Sequence, residues 1–145
     1  MKKYIAEALN QAYKSLSEGG IPIGSVLAIG DQLISSGHNQ RVQKGSCILH
    51  AEMDCLERAG RLTAKDYGNA TLYTTLSPCY MCSGAIMLYG IRRVVIGDNI
   101  NFKGAEDLLM SHGVEIINLN DKDCIKVMGD FIRSNPELWH EDIGV

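Results

Sequence analysis

The sequence lacks any long apolar run, so no membrane-spanning helix is predicted. A helix that crosses a bilayer needs about 18 or more apolar residues in succession, and every apolar stretch in this chain is interrupted well before that length. The N-terminal segment carries two early lysines, but its apolar residues have helical spacing and are separated by polar ones. This pattern is unlike a secretory signal peptide. We therefore expect a cytoplasmic protein with no membrane partner.

The sequence also lacks an excess of positive charge. Its Lys and Arg residues number 14 against 17 Asp and Glu, which gives a net charge of −3, and the isoelectric point is about 5.8. Proteins that bind polynucleotides usually carry a basic face. The charge balance therefore argues against a nucleic-acid partner and favours a small-molecule substrate.

The cysteines are too few, and odd in number, for a disulfide framework. There are five of them in a chain of 145 residues that is 46% apolar, and such a chain can build a core without disulfides. Free thiols indicate a reducing compartment. Three cysteines are interpreted as buried or half-buried thiols without chemistry: Cys47, Cys55 and Cys124. Three histidines are interpreted as surface or capping residues: His38, His112 and His140.

Helical and strand patterns alternate along the chain. Helices are predicted over residues 5–16, 50–59, 77–90, 105–112 and 121–133. Strands are predicted over residues 25–29, 33–36, 71–76, 93–96 and 114–119, with a hairpin turn at Gly30-Asp31. Ser77 is the predicted N-cap of the third helix and Pro78 its first residue; residues 38–46 form a loop and residues 135–145 a tail. The order predicts one α/β domain over residues 1–145, a three-layer α/β/α sandwich with parallel pairing after the hairpin.

Two short segments carry the residue types of a catalytic metal site. Cys79 and Cys82 are three residues apart at the start of a predicted helix, so they project from one face, where unpaired N–H groups favour thiolates. Zinc prefers thiolate and imidazole ligands in tetrahedral geometry, and His50 is the candidate third ligand. Three protein ligands leave one position for a water molecule, as in catalytic zinc sites.

Glu52 follows His50 by two residues, which on a helix turns its side chain about 200° away from that ligand. A carboxylate beside the metal, and not on it, suits a general acid and base. The arrangement H-x-E…P-C-x-x-C is that of zinc deaminases. A thioredoxin-like redox pair is the alternative for Cys-x-x-Cys alone, but the preceding Pro78 and the upstream His-x-Glu make that interpretation weaker.

Over nearly its whole length the sequence resembles the fungal-type cytosine deaminases of the cytidine deaminase superfamily. The resemblance rests on EGGIPIG (18–24), GHN (37–39), LHAE (49–52), TLYTTLSPCYMCSGAI (71–86), NFK (101–103) and WHEDIG (139–144). The zinc motif is shared with tRNA adenosine, guanine and riboflavin-pathway deaminases, whereas GHN, NFK and the acidic tail are narrower. The resemblance implies a five-stranded mixed sheet between helices and a homodimer.

The resemblance also implies the role of each site residue. Zinc would be held by three ligands: His50, Cys79 and Cys82. Glu52 would be the proton shuttle. Asn39 and Asp142 would hydrogen-bond the base, and two backbone contacts would come from Ala51 and Ser77. The pocket would be walled by Phe102, Trp139 and Ile23. Phe102 as a core residue and Asn39 as a turn residue are the structural alternatives.

The sequence departs from the fungal pattern at several positions, two of which, Ala51 and Tyr80, lie close to the predicted metal. Ala51 stands where the fungal enzymes carry Gly, Tyr80 replaces an Asp, and His140 stands where an aromatic residue follows the Trp. The implied reaction is zinc-dependent hydrolysis of free cytosine to uracil and ammonia in pyrimidine salvage. Deamination of another free base such as guanine, or of tRNA adenosine, is the alternative. A deaminase-like fold without activity, serving as a structural or interaction module, is a further alternative, and the presence of Glu52 disfavours it.

Overall fold

A five-stranded mixed sheet organises the computed structural model, which describes residues 1–145. Its strands, in chain order, are β1 (Gly24–Ile29), β2 (Gln32–His38), β3 (Ala70–Leu76), β4 (Arg93–Asp98) and β5 (Glu115–Asn118). They lie in the order β2-β1-β3-β4-β5. β1 is antiparallel to both β2 and β3, whereas β3, β4 and β5 are parallel. The predicted hairpin, the parallel pairing that follows it and the mixed sheet are confirmed.

Helices cover both faces of this sheet. They are α1 (Lys2–Ser17), α2 (Arg41–Lys44), α3 (Ala51–Ala59), α4 (Ala64–Gly68), α5 (Tyr80–Tyr89), α6 (Glu106–Ser111), α7 (Lys122–Ser134) and α8 (Pro136–Asp142). Side chains of a strand alternate between the two faces. Accordingly Val26 and Ala28 belong to a buried cluster with α1, and Leu27 between them belongs to one with α3 and α5. The three-layer sandwich is confirmed. None of the helices has the length and apolarity that crossing a membrane requires.

The segments that contain predicted site residues lie together at one edge of the sheet, the edge formed by strand ends. β1 begins at this edge just after Ile23, β2 ends there before Asn39, and β3 ends there before Ser77. Ligand sites of open α/β sheets lie outside the carboxyl ends of the parallel strands. A third buried apolar cluster covers this edge and includes Ile23, the start of α3 at Ala51, and Trp139 of α8.

Several element boundaries differ from the sequence prediction. α5 begins at Tyr80 with Cys79 as its N-cap, so the prediction of Ser77 as cap and Pro78 as first helical residue is wrong. The Ser77 hydroxyl instead donates to the Glu106 carboxylate at 2.5 Å. Residues 38–46 contain the short helix α2, and the tail forms α8.

Most of the predicted environments of the remaining cysteines and histidines are confirmed. Cys55 and Cys124 are buried, and His112 and His140 are exposed. Two predictions are wrong. Cys47 is exposed because it lies in the loop after α2. His38 is only 2% exposed, because its backbone continues β2 and its ring lies 2.8 Å from Glu18 Oε1.

Candidate active site

The starts of two helices bring the predicted metal ligands together. His50 is the N-cap of α3, Cys79 is the N-cap of α5, and Cys82 lies in the first turn of α5. The His50 Nδ1 atom is 3.4 Å from Cys79 Sγ and 3.7 Å from Cys82 Sγ. The three ligand atoms all lie within 4.8 Å of one another. The unpaired N–H groups of both helix starts favour negative charge at this point.

The geometry of this group fits a tetrahedral metal ion. Zinc bonds of about 2.0 Å to nitrogen and 2.3 Å to sulfur place neighbouring ligand atoms about 3.6 Å apart, which matches the observed separations. The other ring nitrogen of His50, Nε2, lies 3.1 Å from the carbonyl oxygen of Asp142. A carbonyl only accepts, so Nε2 carries a hydrogen. Nδ1 faces the two sulfurs, where a metal ion would replace its proton. Metal-binding histidines commonly donate to a carbonyl through the other ring nitrogen in this way. His50, Cys79 and Cys82 can therefore hold a metal ion.

Without a metal ion, the protein shifts the pKa values of the two cysteine thiols in opposite directions. Hydrogen bonds from Cys82 and His50 outweigh burial and lower the pKa of Cys79 to about 4. The hydrogen bond to Cys79, together with burial, raises the pKa of Cys82 well above its usual value. Burial would lower the pKa of His50, but hydrogen bonds to Asp142 and Cys79 raise it to about 10. One thiolate is thus already present, and metal binding would displace the remaining protons.

Glu52 lies in the first turn of α3 and is only 4% exposed. Burial raises the pKa of its carboxyl to about 7, against the opposing effect of nearby His50. A group that titrates near neutral pH can both take and give a proton, which is what general acid–base catalysis requires. Its position beside the His/Cys/Cys group agrees with the role predicted for it.

A small, partly open cavity of about 20 Å³ adjoins this group. It is lined by Ile23, His50, Glu52, Leu76, Ser77, Cys79, Phe102, Trp139, Asp142 and Ile143. The rings of Phe102 and Trp139 meet edge to face, with their centroids 5.6 Å apart. A space of this size holds about one water molecule. Since three of the lining residues lie on or next to α8, this helix covers part of the cavity, and a ligand larger than water needs the cavity to widen.

Eight of the eleven predicted site residues line this cavity, and Asn39, Ala51 and Cys82 do not. Asn39 is fully buried, and its Nδ2 atom lies 3.2 Å from both carboxylate oxygens of Asp142. Asn39 therefore bonds to Asp142 without lining the cavity itself. Ala51 belongs to the apolar cluster around the cavity, and Cys82 lies behind Cys79 as a candidate ligand.

Sequence reasoning missed four residues of the site. Leu76 and Ile143 line the cavity. Each is adjacent in sequence to a predicted site residue, and this adjacency is the one sequence feature that could have indicated them. Glu106 accepts a hydrogen bond from Ser77, and Arg41 pairs with the carboxylates of α8. Nothing in the local sequence marks these two, because their partners are distant along the chain.

Comparison with known proteins places the chain in a family. Residues 1–98 match the family model of the cytidine and deoxycytidylate deaminase zinc-binding region. The chain belongs to this family. Its deaminase domain is thus a zinc-binding one, in agreement with the His/Cys/Cys group at the helix starts.

Individual relatives refine this assignment. A cytosine deaminase of Candida albicans is 58% identical over 144 residues, which are 99% of this chain and 96% of the relative. A tRNA-specific adenosine deaminase of Streptococcus pyogenes is 37% identical, over 92% of this chain and 91% of the relative. A structure from a study of A-to-I editing by tRNA:A34 deaminases superposes with a TM-score of 0.74 at 25% identity, covering 88% of this chain and 99% of that one. The match to the Candida protein extends over α8, beyond the end of the family model.

Proposed function

We propose that this protein hydrolyses free cytosine to uracil and ammonia, with zinc held by His50, Cys79 and Cys82. The observation that carries the proposal is the small cavity beside the His/Cys/Cys group, which the buried Glu52 carboxyl lines together with His50 and Cys79. The 58% identity to the cytosine deaminase of Candida albicans supports the choice of base. We also propose that residues 1–145 form one deaminase domain that acts in the cytoplasm, in pyrimidine salvage.

Glu52 moves the protons of the reaction. When bound, zinc would supply a water molecule whose pKa is lowered to about 7. Glu52 would take the two protons of the attacking water in turn, giving one to ring nitrogen N3 and the other to the departing amine. The water oxygen becomes the carbonyl oxygen at C4, the bond from C4 to nitrogen breaks, and ammonia leaves. The raised pKa of Glu52 suits both directions of transfer.

Asp142 is the group that would recognise the exocyclic amine. Burial raises its pKa, but hydrogen bonds from His50, Asn39 and Arg41 outweigh this effect, and the pKa lies below its ordinary value. Asp142 therefore stays ionised and can only accept hydrogen bonds. The amine of cytosine donates hydrogen bonds, and carboxylates are its usual protein partners. A base without a donor at this position would leave the remaining acceptor capacity of this buried carboxylate unused.

Deamination of tRNA adenosine is the second candidate, favoured by the 37% identity to the Streptococcus pyogenes enzyme. A polynucleotide substrate requires an open cavity and a basic surface. In this protein α8 covers part of a small cavity, and the net charge is −3. The free base is therefore the better fit.

The chain also carries an apolar surface that favours a homodimer. On α5, away from the sheet, Tyr80 is 79% exposed, Leu88 75% and Tyr89 45%. Large exposed apolar patches are uncommon on monomers. We therefore propose that α5 packs against a second copy of the chain.

A substrate panel tests the reaction. The zinc-loaded full-length protein is incubated with cytosine, guanine, cytidine, adenosine and a tRNA anticodon stem-loop, and released ammonia is measured. We expect release from cytosine alone, and none from a Glu52→Gln control. Efficient release from the stem-loop, with none from cytosine, would establish the second candidate instead.

A further inference from the structure

Arg41, the first residue of α2, joins this segment to the helix that covers part of the cavity. Its Nη1 and Nη2 atoms each lie 2.7 Å from an oxygen of Glu141, and Nη1 also lies 3.1 Å from Asp142 Oδ1. Its Nε atom donates to the carbonyl of Cys47 at 2.8 Å. The guanidinium is therefore anchored on its own segment and makes a bidentate pair with α8.

The same arginine belongs to a closed ring of hydrogen bonds with Asn39 and Asp142. The backbone N–H of Arg41 donates to Asn39 Oδ1 at 3.0 Å, and Asn39 Nδ2 donates to both oxygens of Asp142. Asp142 Oδ1 thus receives Arg41 and Asn39, whereas Oδ2 receives Asn39 alone. A carboxylate oxygen has two lone pairs, so Oδ2 keeps capacity for a donor in the cavity.

We propose that Arg41 is a positioning residue that latches α8 closed over the cavity and turns Asp142 Oδ2 toward the substrate. The inference rests on the proposed function for its kinetic part only. A terminal helix frays unless it is tied down, and α8 has only seven residues. Apart from this ion-pair cluster, α8 is held mainly by the apolar cluster around Trp139.

Burial and geometry distinguish this pair from an ordinary surface ion pair. Exposed pairs contribute little, because water screens them and both side chains lose freedom. The Arg41 side chain is only 11% exposed, and that of Asp142 only 2%; Glu141, which receives the bidentate contact, is 60% exposed. Bidentate arginine–carboxylate hydrogen bonds are also among the strongest in proteins. The control is the Arg93–Glu115 pair, whose side chains are 50% and 55% exposed, at the start of β4 and away from the cavity.

Trp139 provides a readout that needs no substrate. It is the only tryptophan of the chain, it lies on α8, and it is 5% exposed. In the metal-loaded free protein, Arg41→Ala and Glu141→Gln are expected to increase the acrylamide quenching constant of Trp139 by about twofold or more, because α8 opens more often. Arg93→Ala is expected to leave it unchanged. The melting temperature of each variant is measured alongside, so that general unfolding is recognised.

The kinetic measurement determines KM and kcat for cytosine separately, because we expect the substitution to change KM much more than kcat. Loss of the latch is expected to raise KM by roughly 10- to 100-fold, the size expected of charge-assisted hydrogen bonds. We expect kcat to change by less than about threefold, because Arg41 forms no hydrogen bond with Glu52 or with the candidate metal ligands. Glu141→Gln spares the contact with Asp142 and is expected to show the same split with a smaller rise. Arg41→Lys keeps the charge without the bidentate geometry and is expected to recover only part of the loss.

The outcomes separate this inference from the proposed function. Wild-type quenching of Trp139 in folded Arg41→Ala would overturn the latch, and so would an unchanged KM. Increased quenching in a protein that does not deaminate cytosine would leave the latch standing and reject the proposed substrate.

Discussion

At the scale of single residues, Glu52 carries the largest expected effect on the chemistry. Glu52→Gln keeps the shape of the side chain but cannot transfer a proton. We expect turnover of cytosine to fall by about 10²–10⁴-fold, the usual contribution of a general acid–base group. The variant is expected to retain its metal, because Glu52 is outside the His/Cys/Cys group.

Ammonia release and elemental analysis on the same sample check both parts of this expectation. The matched control is Glu57→Gln on the exposed side of α3, which should behave as wild type. Activity of the Glu52 variant within tenfold of wild type, with metal bound, would remove it from the mechanism.

The residues that local sequence could predict are those whose chemistry lies in a short motif. His50 and Glu52 are two positions apart, and Cys79 and Cys82 are three apart, so spacing alone indicated their roles. Arg41 and Asp142 are 101 positions apart in sequence, and no local pattern marks them as partners. Asn39 was assigned to the base, but the structure places its amide against Asp142, which only the folded chain could show.

At the scale of elements, the metal joins the starts of α3 and α5. Since its ligands come from two helices, removing the ion should loosen the contact between them. We expect one zinc per chain in the active protein, loss of zinc in Cys79→Ala and His50→Ala, and a melting temperature lowered by roughly 10 °C after chelation.

Cys47→Ala is the control for these substitutions, because this thiol is exposed and outside the ligand group. Elemental analysis and thermal unfolding measure the effects. An intact, active protein without any transition metal would contradict the expectation.

The ends of helices and strands could be predicted where no contact with a distant residue competes with the local sequence signal. Periodicity and the stop at Gly90, which is left-handed with a φ of 77°, placed the end of α5 correctly. Its start was predicted too early, because the Ser77 hydroxyl bonds to Glu106 instead of capping the helix. α8 was overlooked, although Asn135-Pro136 is a helix-start pattern, because seven residues leave too little periodicity to detect.

At the scale of the whole molecule, the apolar face of α5 predicts self-association. Leu88→Glu would place a charge in the proposed interface and is expected to convert a dimer into monomers. Leu16→Glu, on α1 in the opposite layer, is the control, since Leu16 is also exposed, at 43%. Light scattering of the three proteins at micromolar concentration measures the state. A monomeric wild type would contradict the proposed dimer.

The covering of the cavity by α8 is also a property of the whole chain, and it predicts which substrates are accepted. Repulsion of a phosphate backbone by the acidic tail is weaker than the sequence predicts, because Glu141 and Asp142 are both paired with Arg41. The small size of the cavity is the stronger reason to expect a free base as substrate. The cavity of about 20 Å³ must enlarge even for a free base, and we expect a ribose attached at N1 to keep α8 from packing over the base. Cytidine and single-stranded DNA are therefore expected to remain unreacted.

Truncation tests this argument directly. Deleting residues 136–145 removes Trp139 and Asp142 from the cavity wall, exposes the site to water and is expected to lower kcat/KM for cytosine by roughly 100-fold or more. Deleting only Gly144 and Val145, which are exposed, is the control and should change little. Circular dichroism establishes that both truncated proteins fold, and ammonia release from cytosine and cytidine gives the activities. If the longer truncation were as active as the full chain, or if the full chain turned over cytidine efficiently, α8 would not be the element that selects the free base.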